Sequence, residues 1–132
     1  MTKKEIKNAV EYWKATAKHD FETMKFLFKG KRHSDSLFFG HIVLEKILKG
    51  LVVRNTGGQA PYTHNLILLM SIALPGFAKE YKDLLNDVND FNIRSRYPEQ
   101  KLEFYKKCTP IYTKKYYEKI VELYTFLCQK LK

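Results

Sequence analysis

The sequence predicts an all-α fold, an antiparallel bundle of five helices. Three observations predict it. Apolar residues recur at three- and four-residue intervals along most of the chain. The pattern breaks at short stretches that carry glycine or proline. No alternation of apolar and polar residues persists beyond a few positions, so no strand is predicted.

The first helix is predicted from about Lys3 to Phe28, with Ile6, Ala9, Trp13, Ala17, Met24 and Leu27 on one stripe, ending at Lys29-Gly30. The second runs from about Ser34 to Arg54 and stops at Asn55-Thr56-Gly57-Gly58. Pro61 and Thr63 open a shorter third helix, His64 to Leu74, closed by Pro75-Gly76. The fourth carries Phe77, Tyr81, Leu84, Val88 and Phe91 at helical spacing. Thr109 and Pro110 supply an N-cap and a first-turn proline for the fifth, whose stripe is Tyr112, Tyr116, Ile120, Leu123, Leu127 and Leu131.

A chain of 132 residues fits one domain with a real core. Its 45% apolar content excludes disorder, and its 14% aromatic content suggests dense packing. No apolar run approaches a membrane span, and the charged start of the chain lacks the apolar segment of a signal peptide. Cys108 and Cys128 have no metal-ligand spacing and read as reduced packing residues of a cytoplasmic protein. The formal charge is +10, and residues 91–132 are the more basic part, with 10 Lys/Arg against 4 Asp/Glu. That surplus favours anionic partners; a lysine-rich solvated exterior is the alternative.

The informative residues are polar ones at core positions. At about 100° per residue, Asp20 falls between Trp13 and Leu27 inside the first helix's stripe. On the second helix His41 lies between Leu48 and Val52, Glu45 between Val52 and Phe38, and Lys49 flanks Phe38. His41, Glu45 and Lys49 are each four residues apart and share one face. A buried carboxylate without a partner costs several kcal/mol, so Asp20 and Glu45 need cations or donors. The candidates are His41, Lys49 and the arginines Arg94 and Arg96 after the fourth helix. Either these form an internal ion-pair network, or they line a polar pocket between helices, where bundles place ligand sites.

His64, in the first turn of the predicted third helix, is placed to bond between helices. His19, His33, His41 and His64 show no zinc-like spacing, so no metal is expected. Gly57-Gly58 lacks a following Lys-Ser/Thr and a preceding strand, so it reads as a flexible connection and no cofactor motif is present. Most of the nine tyrosines and nine phenylalanines fall on helical stripes and read as core. Tyr97 is the exception, because Pro98 pushes it out of helical conformation and leaves its ring free to cover a pocket or stack on a base.

Four segments in order, "AKHDFETM", "HIVLEKILKGL", "PYTHNLILL" and "RSRYPE", make the chain resemble HEPN-domain proteins from about Trp13 to Leu127. The resemblance implies an up-and-down four-helix bundle with an added helix, and a nucleotide- or RNA-associated role, frequently as a symmetric dimer. It also implies a possible protein partner, a minimal nucleotidyltransferase in a toxin–antitoxin-like pair. Other members of the family are metal-independent ribonucleases whose motif is an arginine, four to six intervening residues, then a histidine. From Arg94 the histidine should fall at Glu99, Gln100 or Lys101, and from Arg96 at Lys101, Leu102 or Glu103. Arg32 and Arg54 fail the same spacing, so the motif is absent.

The expected function is therefore a non-catalytic module that binds a nucleotide or RNA. Its expected polar pocket comprises Asp20, His41, Glu45, Lys49, His64, Arg94, Arg96 and Tyr97. The alternatives are a ribonuclease with a rearranged Arg/His site, using His41 or His64 as proton relay, and a subunit that only binds protein.

Overall fold

In the computed structural model, which describes residues 1–132, every regular element is helical. The elements are α1 (Lys3–Lys29), α2 (His33–Thr56), α3 (Leu66–Ala73), a 3-10 turn at Pro75–Phe77, α4 (Lys82–Arg96), α5 (Pro98–Lys107) and α6 (Pro110–Leu131). Side chains set most of the boundaries. Thr2 and Glu5 form a reciprocal capping box on α1, Asn65 caps α3, and Thr109 caps α6 just ahead of Pro110. Gly57 ends α2 at a φ of 72°, the left-handed conformation that a side chain would strain.

Helix α2 is the centre of the bundle. It is buried on nearly every side from Ser36 to Val53, and it packs against α1, α3, α4, α5 and α6. Gly40 lets α6 approach, since a Cβ there would lie 2.7 Å from Ile120 Cδ1. Stacked pairs Phe21–Tyr124 and Phe28–Tyr117, with centroids 4.4 and 3.8 Å apart, join α1 to α6. Phe91 contacts Phe104 at 5.4 Å and Tyr116 at 5.0 Å, tying α4 to α5 and α6. Most aromatics thus pack against the core, as their spacing suggests. No helix is long and apolar enough to cross a membrane.

The structure corrects the predicted helices in three places. There are six α-helices, because residues 98–107 form α5. Only Phe104 of α5 is buried, so the segment carries no apolar stripe that periodicity detects. Pro98 ends α4, but at the first position of the next helix its missing N–H costs nothing, so it also starts α5. Helix α3 begins at Leu66, which leaves His64 in the extended segment before it. Phe77 lies in the 3-10 turn and Tyr81 is the N-cap of α4, so neither is inside that helix.

Candidate functional site

The predicted polar residues separate into a bridge, a hub and a cleft. Asp20 on α1 accepts from Lys46 Nζ on α2, and His19 Nδ1 lies 3.3 Å from its other oxygen. This bridge pins α1 to α2 and touches neither arginine. Asp20 was expected to meet His41, Lys49 or an arginine; the hairpin geometry gives it Lys46 instead.

The hub is the Glu45 carboxylate, with only 14% of its side chain exposed. Lys49 Nζ, one turn on, donates to Oε2 at 3.0 Å, and His64 Nδ1 lies 2.8 Å from Oε1. His41, one turn back, is almost fully buried, and its Nε2 donates to the His64 carbonyl at 2.8 Å. The carbonyl acceptor sets the tautomer, so His41 Nδ1 is the unprotonated nitrogen, 3.9 Å from Glu45 Oε1. Burial pushes the His41 pKa below its ordinary value, against the raising effects of the His64 carbonyl and of Glu45. Two histidines therefore strap the segment before α3 onto α2, and Glu45 fixes the His64 ring with Nε2 left without a protein partner.

His64 then meets α4 across a cleft of about 440 Å³, walled by His64, Asn65, Asn86, Asn89, Asn92, Ile93 and Arg96. Asn89 holds the two walls together. Its Oδ1 accepts from Leu66 N at 2.9 Å and its Nδ2 donates to Asn65 Oδ1 at 3.0 Å. Arg96 Nη1 donates to Asn92 Oδ1 at 3.2 Å, which orients an otherwise exposed guanidinium along the cleft. No carboxylate lines this cleft. Its groups are one guanidinium, one imidazole and amides that both donate and accept, a set suited to a phosphate and a base edge.

Several predicted members lie elsewhere. Arg94, two positions from Arg96 and so about 200° around the helix, carries its Nε 2.8 Å from Asp90 Oδ2. Neither arginine reaches Asp20 or Glu45; Arg94 pairs with Asp90 and Arg96 with Asn92, both on α4 itself. Lys49 sits behind Glu45, its Nζ 5.5 Å from the centre of the Trp13 ring. Tyr97 is extended and 46% exposed, as Pro98 requires, but is not part of the cleft wall. Tyr112 and Tyr116, pushed up to about 12 by burial, and Cys108, raised to about 12 for the same reason, hold their protons near neutrality.

The asparagines are the residues that sequence reasoning missed. Asn86, Asn89 and Asn92 recur every three residues and lead into Arg96, so they share one face of α4. Asparagine is a poor helix former, and three of them at helical spacing are the signal that points to this face.

A family model described as HEPN domain matches residues 10–132. No curated protein and no solved structure matches the chain.

Proposed function

The chain belongs to the HEPN domain family, and from that premise we propose that the cleft between α4 and the segment before α3 binds a nucleotide or an RNA strand. One observation carries the proposal: the cleft gathers Arg96, His64 and three asparagines of α4 and contains no carboxylate. Arg96 contacts phosphate, and Asn86 and Asn92 bond to base or sugar edges. The net charge of +10 raises the local concentration of any polyanion. Arg94, Lys49 and Asp20 serve structure in this reading, and Tyr97 lies at the α4–α5 elbow next to Arg96.

Binding of a fluorescent single-stranded RNA and of mononucleotides, titrated at several salt concentrations, tests it. Arg96→Ala is expected to weaken binding about 10- to 100-fold, the range for losing a charge-assisted bond. Equal affinity of the wild type and Arg96→Ala refutes the cleft as the site. Association with a minimal nucleotidyltransferase, and a homodimer, remain part of the proposal on the resemblance alone; co-purification and sedimentation of the co-expressed pair test them.

A second reading, metal-independent RNA cleavage, is favoured by the Glu45–His64 contact of 2.8 Å. Glu45 holds Nδ1, so Nε2 is the nitrogen free to take a proton from a ribose 2′-hydroxyl. The 2′-oxygen then attacks phosphorus, the P–O5′ bond breaks, the departing 5′-oxygen takes a proton from water, and Arg96 offsets the charge of the phosphorane. Incubation with RNA in EDTA should yield ends with a 2′,3′-cyclic phosphate, absent with His64→Gln. Intact RNA under those conditions leaves binding as the function.

A further inference from the structure

We propose a second ligand site, separate from the α4 cleft: the groove between α1, the C-terminal half of α2 and residues 59–62, which takes a flat aromatic ring bearing one carboxylate or phosphate. The groove holds about 280 Å³ and is walled by Ala9, Trp13, Val53, Pro61 and Tyr62, with Lys49 among the lining side chains. Such walls suit a planar apolar body.

The lysine supplies the anion preference. Its side chain is only 10% exposed, its Nζ lies 5.5 Å from the Trp13 ring centre, and it bonds to Glu45 at 3.0 Å. An ammonium has three donors, and Glu45 is the single hydrogen-bonding partner the protein offers it. A cationic group with spare donors in a mostly apolar groove is a strong attractor for an anionic oxygen. Tyr62, fully exposed beside Pro61, stands at the groove with its ring unpacked against the protein. An aromatic ligand inserted between Trp13 and Tyr62 covers both rings and places its anion on Lys49.

Glu45 competes for the same ammonium. The carboxylate that holds Lys49 through Oε2 holds His64 through Oε1, so a ligand anion on Lys49 draws on the hub that orients the α4 cleft. The two sites are thereby neighbours through one side chain, yet share no lining residue.

Trp13 is the sole tryptophan, so its fluorescence reports the groove directly. The wild type is titrated with benzoate, phenyl phosphate and the neutral isostere benzamide. A saturable change with an anion at a dissociation constant on the order of 1 mM, the range for so small a ligand, with benzamide at least about tenfold weaker, is the expected result. Lys49→Met should abolish the preference for the anions, Glu45→Gln should tighten their binding, and Arg96→Ala should leave it unchanged. The ratio of benzoate to phenyl phosphate assigns the anionic group. Benzamide binding as well as both anions, or no saturable response to any of the three in the wild type, overturns the proposal without a variant and without bearing on RNA binding in the α4 cleft.

Discussion

Replacing Glu45 with alanine removes one carboxylate and strips Lys49 and His64 of their shared partner. The Lys49 and His64 contacts, at 3.0 and 2.8 Å, vanish together, and Lys49 is left with 10% of its side chain exposed. Deleting one member of a buried ion pair costs about 3–5 kcal/mol because the other charge stays desolvated. Lys49 borders the Trp13 groove, and its flexible stem can carry the ammonium toward water, so the cost falls below that range, to about 2–3 kcal/mol. Urea unfolding at neutral pH measures the cost, and an unchanged m-value shows that the same surface is exposed. The double substitution Glu45→Ala with Lys49→Met removes the stranded charge, so it should recover about 1–2 kcal/mol relative to Glu45→Ala alone. The exposed pair Lys25–Glu22, with side chains 38% and 59% exposed, sets the comparison; Glu22→Ala should cost no more than about 0.5 kcal/mol. A Glu45→Ala protein within about 0.5 kcal/mol of wild type, or a double variant weaker than Glu45→Ala, refutes the hub.

Three further outcomes follow from the same geometry. Gly40→Ala places its Cβ 2.7 Å from Ile120 Cδ1, so overpacking of about 1–3 kcal/mol exceeds a helix-propensity gain of about 1 kcal/mol and the protein loses stability; in an Ile120→Val background, which lacks that methyl, thermal melts should show Gly40→Ala stabilising. His41 has a folded pKa below its ordinary 6.5, so the unfolded chain takes up the proton first. Its stability contribution is whole above pH 6.5 and is lost as the pH falls toward the folded value; the difference between wild type and His41→Gln in urea unfolding should widen in favour of the variant over that window. Arg96→Ala should lower the slope of log affinity against log salt by about 0.7 for single-stranded RNA, whereas Arg94→Ala, which pairs with Asp90 on another face, should leave the slope within error.

The existence of the long helices was legible because a 27-residue and a 22-residue amphipathic pattern, α1 and α6, repeat many times and begin at recognisable caps. Helix α5 escaped because one buried phenylalanine makes no period. Asp20 and Glu45 were legible as charges needing partners, since their place on a helical stripe follows from local spacing alone. Their partners were not. Which lysine faces Asp20 depends on the stagger of α1 against α2, and the hairpin chooses Lys46 over Lys49. Arg94 and Arg96 looked like a pair because they adjoin in sequence, although a step of two residues places them on different faces of a helix. The asparagine face was readable in principle, but spacing alone does not say that the segment carrying His64 lies opposite it.

The most direct measurement follows the side-chain amide resonances of Asn86, Asn89 and Asn92 by NMR while a short single-stranded RNA or a mononucleotide is added. Binding in the α4 cleft should shift these three amides together with the Arg96 and His64 signals, on one saturable curve that moves to weaker affinity with salt. Shifts confined to the exposed lysines of α5 and α6, such as Lys106, Lys107 and Lys114, with the three asparagines unmoved at saturation, contradict it.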